Sequence, residues 1–143
     1  MRPLTILKSY FIIKLVNSAD AYRLEALLEL AASSPASLTA REIARRRRIP
    51  ATFLARLLGE LAHDGLVVTV RGPRGGVRLG APPGEIRLAD VLRSEACQES
   101  GGAAVRWLER RLGDAQRQAL APLTLAALLE VERERGAAFG YEI

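Results

Sequence analysis

Two arginines and three glycines are concentrated in the segment 71–76, which reads RGPRGG. Arginine side chains bind phosphate oxygens, and a narrow minor groove attracts them through its negative potential. Because that groove is only about 6 Å wide, a loop that enters it must be thin, and glycine supplies a thin backbone that also adopts positive φ angles. Taken alone, the segment predicts only a hairpin turn. It is not a phosphate-binding P-loop, because the GK[ST] ending is missing.

Two short helices are predicted just before this turn. Thr39 and Glu42 have the spacing of a capping box, which places a helix start at Thr39 in LTAREIARRRR. Pro50 suits the first position of a second helix, and Gly65 suits its C-terminal end. The apolar residues between them form a one-sided stripe, which consists of Phe53, Leu54, Leu57, Leu58 and Leu61.

The segment LVVTV is rich in β-branched residues and predicts a strand, with VRL as the return strand after the glycine turn. The order from residue 39 is therefore helix, turn, helix, strand, turn, strand, which predicts a winged helix-turn-helix. In that motif the second helix enters the major groove of DNA, and its N-terminal residues face the base edges. We therefore predict contact between this segment and double-stranded DNA.

An inward stripe on residues 50–63 leaves a second set of side chains facing outward. Of these, Thr52 and Arg56 can form hydrogen bonds with bases, and Arg56 has the fork geometry that guanine binds. Ala51 and Ala55 are small enough to let the helix approach the DNA closely. The full outward set is Ala51, Thr52, Ala55, Arg56, Gly59 and Glu60.

The remaining predicted DNA contacts lie in the turn and at the first helix start. We expect Arg71 and Arg74, with the backbone of the turn, to enter the minor groove, and Arg78 to reach the flanking backbone. Thr39 and Arg41 stand at a helix N-terminus, where phosphate binds readily. The predicted DNA-binding set is Thr39, Arg41, Ala51, Thr52, Ala55, Arg56, Arg71, Gly72, Pro73, Arg74, Gly75, Gly76 and Arg78.

The charge distribution agrees with an anionic partner at this segment. Nine arginines but only three acidic residues lie between Thr39 and Leu79, whereas the net charge of the whole 143-residue chain is +5. The basicity is therefore local. Arginines 45–48 have two open interpretations, because a solvated helix end and a phosphate contact both suit them.

The predicted fold class is mainly α with a small β-hairpin wing. Further helices are predicted at 19–32, 86–96, 103–121 and 124–135, the last one capped by Thr124. We divide the chain into an N-terminal extension at 1–13, a DNA-binding domain at 14–92, and a linker with further helices at 93–143. The helix that begins at 103 is amphipathic, and its apolar face consists of Ala104, Trp107, Leu108, Leu112, Ala115 and Ala119.

The runs GLV-x-x-x-RGP-x-GG and I-x-LADVL occur together here, and together they resemble the winged-helix regulators of the Rrf2 family. The resemblance extends over residues 14–135. It implies a homodimeric transcription regulator, usually a repressor, that binds a pseudo-palindromic operator. It also implies that the long C-terminal helix crosses its twin, so that the apolar face of 103–120 is the dimer interface.

The chain departs from this family pattern at its cysteines. Many members hold an iron–sulfur cluster on three cysteines after the LADVL helix, but this chain has only Cys97 there. A cluster needs more ligands than one cysteine supplies, so we expect no cofactor and no metal. Cys97 is either an inert thiol or a redox sensor, and only a lowered pKa would make it reactive.

Other functions have less support from the residues. A winged helix that binds a partner protein through the same face is the alternative. An enzyme is not expected, because no nucleophile–base pair or cofactor fingerprint is readable. A single cysteine forms no intramolecular disulfide, and the N-terminal apolar run is too short to span a membrane, so we expect a cytoplasmic protein without membrane contact.

Overall fold

The computed structural model describes residues 18–92 and 101–139. The predicted extension at 1–13 and Cys97 therefore lie outside the described residues. The elements in chain order are helices α1 (Ser18–Ser33), α2 (Ala40–Arg47) and α3 (Ala51–His63), strands β1 (Val67–Val70) and β2 (Gly76–Leu79), a 3-10 turn (Pro83–Glu85), and helices α4 (Leu88–Val91), α5 (Ala103–Leu120) and α6 (Leu125–Phe139).

Helix α1 contacts most of the other elements of the fold, and seven of its 16 residues are buried. Leu27, Leu28 and Ala31 are buried, whereas Tyr22 and Leu24 are only half-buried against the core. The unexpected members of the buried set are charged, since Asp20 and Arg23 are also shielded from solvent. Helices α2, α3 and α6 and strand β2 all contact α1.

The helix-turn-helix forms as predicted, with small shifts at its ends. Thr39 caps α2 through a complete capping box with Glu42. Pro50 occupies the N-cap of α3 and not its first helical position. Gly65 follows α3 with a φ of 76°, a conformation that glycine adopts without steric cost.

The two strands form an antiparallel hairpin in which Val67 pairs with Leu79 and Val70 with Gly76. This hairpin confirms the predicted wing, and the whole architecture is the predicted fold class, mainly helical with one two-stranded sheet. Val67 is buried in the core, whereas Val68 is exposed on the other face. The alternation follows from the pleat of a strand.

The segment after the wing differs from its prediction. Within the described part of the predicted helix 86–96, only the single turn Leu88–Val91 is helical, and Ile86 is extended. The Leu125 N–H donates to the Ile86 carbonyl, at 2.8 Å, which ties this segment to the start of α6. Leu125 and Leu129 belong to the same core as α1. Helix α6 runs to Phe139, beyond the predicted end at 135.

None of the helices within 18–92 and 101–139 has both the length and the apolar character that crossing a bilayer requires.

Arg47, at the end of α2, connects three helices through its guanidinium group. Its Nε donates to Glu29 Oε2 at 2.8 Å and its Nη1 to Glu25 Oε2 at 2.8 Å, both on α1. Its Nη2 donates to Glu132 Oε2 on α6 at 3.1 Å. Only 15% of the Arg47 side chain is exposed, so solvent screens these contacts less than it screens surface ion pairs.

We expect Arg47→Met to lower the free energy of unfolding by about 1–2 kcal/mol, because three carboxylates lose a charged donor while the apolar stem is kept. Urea denaturation followed by circular dichroism measures the change. Arg45→Met is the matched control, because Arg45 is exposed and forms no ion pair with the described residues; it should change stability by less than about 0.5 kcal/mol.

The difference in the free energy of unfolding between the parent and Arg47→Met should depend on pH. Burial alone would raise the pKa of Glu29, but hydrogen bonds from Arg46 and Arg47 outweigh it and hold that pKa below its usual 4.5. A carboxyl group with a lowered pKa in the folded state stabilises the fold above pH 4.5, and this stabilisation is lost as the pH falls through the lowered value. The difference between parent and Arg47→Met should thus stay constant from pH 7 to 5.5 and shrink below 4.5. A constant difference down to pH 3 would contradict this assignment.

Candidate nucleic-acid interface

The outward face of α3 is exposed as the sequence predicted. Leu54, Leu57 and Leu61 are fully buried beneath it. The exposed residues are Ala51, Thr52, Ala55, Arg56 and Gly59. The sixth predicted member, Glu60, is an exception, because it is half-buried and bound to two arginines.

Arg56 is held in place although 69% of its side chain is exposed. Its Nε donates to Glu60 Oε1, one helical turn further on, at 3.2 Å. Its guanidinium carbon lies 5.8 Å from the centre of the Phe53 ring, within the range of a cation–π contact. The guanidinium is therefore restrained by a carboxylate and by a ring face before any partner binds.

A buried ion pair on α1, between Arg23 and Asp20, also contacts Glu60. Arg23 donates to Asp20 Oδ1 at 3.0 Å and also to Glu60, and only 8% of the Arg23 side chain is exposed. The hydrogen bond from Arg23, followed by that from Arg56, lowers the pKa of Glu60 below its usual value despite some desolvation. Glu60 is therefore ionised at neutral pH.

The wing turn consists of Gly72, Pro73, Arg74 and Gly75. The Gly75 N–H donates to the Gly72 carbonyl at 2.8 Å, which closes a β-turn with Pro73 and Arg74 at its tip. Gly72 has a φ of 110°, and no atom lies within 4 Å of the position that a Cβ would take. The turn therefore requires glycine at position 72, because other residues rarely adopt this backbone angle. The Arg74 side chain at the tip of the turn is exposed.

The base of the wing is attached to the segment that precedes α2. Leu38 and Val77 exchange two backbone hydrogen bonds, of 2.9 and 2.7 Å, and the Ser37 hydroxyl donates to the Arg74 carbonyl at 2.9 Å. A Cβ on Gly76 would lie 2.3 Å from the Leu38 oxygen. Gly76 is thus required by a close approach to the protein's own backbone.

This attachment brings two of the predicted contact regions together, the wing and the N-terminus of α2. The Thr39 hydroxyl accepts from the Glu42 N–H at 3.2 Å and donates to the Glu42 carboxylate at 3.0 Å, so it is engaged in the capping box. Arg41 is exposed beside it. Arg78 is exposed on β2 opposite Val68, where it borders a cleft between the hairpin and residues 34–36.

The four consecutive arginines separate into two pairs. Arg46 and Arg47 bind carboxylates of α1, so the structure uses them for packing between helices. Arg45 and Arg48 are exposed, and neither has an ion pair with the described residues. The same holds, across residues 18–92 and 101–139, for Arg41, Arg71, Arg74 and Arg78. These six side chains are available to an anionic partner.

The predicted dimer face on α5 is open to solvent. Trp107 is 62% exposed, Leu112 61% and Leu108 50%, and Ala104, Ala115 and Ala119 are exposed on the same side. None of the residues of α5 is buried. Leu123 and Val131 are further exposed apolar residues near this helix in sequence.

Sequence reasoning missed the residues behind Arg56. Arg23 is one of these residues, and it lies on the same helix face as Ala26, Leu27 and Leu30. A charged residue within this apolar stripe is the sequence signal that could have identified it. Within the described residues, no group of three His, Cys, Asp or Glu side chains is placed to hold a metal ion.

The chain matches a known protein family over more than half of its length. The Rrf2 family, described as "Iron-dependent Transcriptional regulator", matches residues 16–103, which is more than half of the chain. The HTH-type transcriptional regulator NsrR of Bacillus subtilis is 38% identical over 81 residues, which are 56% of this chain and 55% of NsrR. The chain spans about half the length of the curated relatives it matches.

Two solved structures have the same fold over most of the chain. T. potens IscR is 25% identical, with a TM-score of 0.73 over 84% of this chain and 89% of its own. CymR, the global cysteine regulator of B. subtilis, is 28% identical, with a TM-score of 0.67 over 81% of this chain and 96% of its own.

We expect Gly76→Ala to detach the base of the wing, because the new methyl group would overlap the Leu38 carbonyl. The amides of Leu38 and Val77 should lose their protection from hydrogen exchange, and the protein should lose about 2 kcal/mol of stability or more. Hydrogen exchange followed by NMR measures the first effect, and urea denaturation the second.

Gly59→Ala is the control, since no atom lies within 4 Å of the Cβ position in this helix. It should stabilise the protein by about 0.5–1 kcal/mol. Unchanged protection of Leu38 and Val77 in Gly76→Ala would show that the wing does not depend on this close approach.

Proposed function

This chain belongs to the Rrf2 family of transcriptional regulators, and from this premise we propose that it is a homodimeric, sequence-specific DNA-binding regulator that represses transcription. Its partner is a pseudo-palindromic operator in double-stranded DNA, and the cytoplasm is where it meets that partner. The observation that carries the proposal is the exposed face of α3, on which Thr52 and Arg56 stand outward above a buried leucine stripe.

Base recognition is assigned to α3. Ala51 and Ala55 leave the start of the helix narrow enough to enter a major groove, where Thr52 and Arg56 meet the base edges. The Glu60 contact uses only Nε of Arg56, so both Nη groups retain their donors for a bidentate contact with guanine. Arg56 is therefore the residue most suited to determine sequence preference.

Minor-groove and phosphate contacts are assigned to the wing and to α2. Arg74 stands at the turn tip with Arg71 before it, and both are exposed, so both are placed to follow a groove of negative potential. Of the glycines, Gly72 lies in the outer part of the turn with open space around it, whereas Gly75 and Gly76 back onto the protein. Thr39 supports α2 through its cap, and Arg41 offers a phosphate contact.

A homodimer is supported by the exposed apolar face of α5. A monomer that left Trp107, Leu108 and Leu112 in water would expose a contiguous apolar surface of the kind that marks an interface. A second copy presents the same face, so α5 can pair with its twin in a self-complementary contact. Two copies of α3 would then address two half-sites of one operator.

The residues of the chain do not fit an iron–sulfur cluster. Cysteine thiolates are the usual ligands, and the sequence holds one cysteine and one histidine. The histidine, His63, ends α3 in an exposed position. We therefore propose that DNA binding by this chain does not depend on a cluster, and Cys97 remains a candidate for thiol-based sensing.

We expect Arg56→Ala to relax discrimination at one base pair of the operator, by about 1–3 kcal/mol. Arg74→Ala should instead weaken binding to all duplexes and lower the slope of log affinity against log salt concentration by about 1. Binding sites are first selected from random duplexes with the parent protein. Fluorescence anisotropy then measures the dissociation constants on the selected site and its single-base variants.

Arg110→Ala is the control for the loss of one positive charge, because Arg110 is exposed on the polar side of α5. It should change neither discrimination nor the salt slope. If both Arg56→Ala and Arg74→Ala bound like the parent, these assignments would be wrong. Absence of a steep salt dependence in the parent would favour a protein-binding module over a DNA-binding one.

We expect Leu112→Glu to convert the dimer to a monomer, because the substitution places a charge in the centre of the α5 face. Light scattering after size exclusion measures the mass, and anisotropy should show that affinity for a two-half-site operator falls by roughly 100-fold or more. Arg110→Glu, on the opposite side of the same helix, should remain dimeric. A dimeric Leu112→Glu protein would exclude this face as the interface.

A further inference from the structure

We infer that Glu60 is a positioning residue for base recognition, which holds Arg56 in a fixed orientation and is itself held by buried Arg23 of α1. The inference rests on the proposed function, because it assigns Glu60 a role only if Arg56 contacts bases. It also gives Arg23 a part in DNA specificity, although Arg23 lies in α1, the helix that precedes the helix-turn-helix. Glu60 itself contacts no DNA and acts through Arg56.

The two oxygens of the Glu60 carboxylate bind two different arginines. Its Oε1 accepts from Arg56 Nε at 3.2 Å, and its Oε2 accepts from Arg23 Nη2. Each oxygen therefore binds a different guanidinium, and the carboxylate cannot rotate without breaking one contact. Arg56 gains a defined orientation, whereas a free arginine on a helix surface samples many rotamers.

The residues that hold Glu60 on the α1 side are themselves buried and paired. Arg23 is 6% exposed and Asp20 5%, and the two are joined at 3.0 Å within α1. A buried guanidinium with two carboxylate partners has little freedom to move, because breaking either pair would leave a charge without compensation in the interior. Arg23 thus fixes the Glu60 side chain of α3 relative to α1.

Two aromatic residues form a second contact between α1 and the neighbourhood of Arg56. Tyr22, next to Arg23 on α1, packs its ring edge-to-face on Phe53, with the centroids 5.4 Å apart and the planes at 71°. Phe53 in turn presents its ring to the Arg56 guanidinium, 5.8 Å away. Consecutive residues of α1 therefore support both groups that restrain Arg56.

The charges of this network have a consequence for binding. Asp20 and Glu60 balance Arg23 and Arg56, so the cluster adds no net charge to the DNA-facing surface. Its contribution should thus be to geometry and specificity, since a preorganised side chain loses less freedom when it binds. General attraction to DNA comes from the unpaired arginines instead.

The test compares Glu60→Gln with the parent on the selected operator and on its variant at the base pair that Arg56 reads. We expect discrimination at that base pair to fall about fivefold or more, while affinity for unrelated duplex is equal or higher, because one negative charge is removed. In an Arg56→Ala background the same substitution should change discrimination no further. Such non-additivity would show that Glu60 acts through Arg56.

Two control variants distinguish the proposed positioning role of Glu60 from a purely structural role. Glu29→Gln removes another carboxylate that binds two arginines, Arg46 and Arg47, and it should lower the melting temperature without changing discrimination. Glu60→Asp keeps the charge but shortens the side chain, and it should also lose discrimination. This second variant keeps the test decisive if Glu60→Gln does not fold.

NMR of the free protein provides a readout that needs no DNA. The Arg56 Nε–H signal, assigned by its loss in Arg56→Lys, should exchange slowly with solvent in the parent and rapidly in Glu60→Gln. Equal exchange, or equal discrimination in the two proteins, would overturn the inference and leave the proposed function intact. Failure of the parent itself to select any DNA sequence would overturn both.

Discussion

The burial of the α3 leucine stripe against α1 is the constraint on which the proposed interface depends. Leu54, Leu57 and Leu61 are fully enclosed, and each residue of a helix is rotated by about 100° from the next. Once these three positions face inward, Thr52 and Arg56 must face outward. A rotation of α3 by one residue would bury polar groups and expose leucine, and both changes cost free energy.

The wing depends on the rest of the domain in a similar way. A hairpin of two four-residue strands has little stability of its own, and this one is held by Leu38 through backbone hydrogen bonds to Val77. Its glycines serve different purposes. Gly72 provides a backbone angle, whereas Gly76 permits contact with the Leu38 carbonyl. The arrangement fixes the wing relative to the start of α2, so that both present their arginines from one framework.

The arginines of this chain are divided between structural and binding roles. Arg23, Arg46 and Arg47 are bound by carboxylates of neighbouring helices, so their charges are compensated inside the protein. Arg41 and Arg45 of α2, Arg48 just after it and the arginines of the wing have no such partners among the described residues. Arg56 stands between the two groups, because it is exposed and nevertheless restrained. The number of positive charges alone does not distinguish these roles. The roles nevertheless predict different effects of arginine substitutions on affinity for DNA and on sequence specificity.

Sequence patterns alone predicted the capping box at Thr39, the outward residues of α3 other than Glu60, the hairpin formed by LVVTV and VRL, and the helix that begins at 103, because each depends on residues close together in the chain. The fold class followed from their order. Tertiary structure decided what depends on distant residues: that Arg47 joins three helices, that Gly76 meets Leu38, that Ile86 is extended beside α6, and that Arg23 reaches Glu60 across 37 positions. The hydrophobic period of α1 places Arg23 on the buried face but does not indicate which residue pairs with it there, because burial of a charge becomes favourable only when another helix brings it a partner.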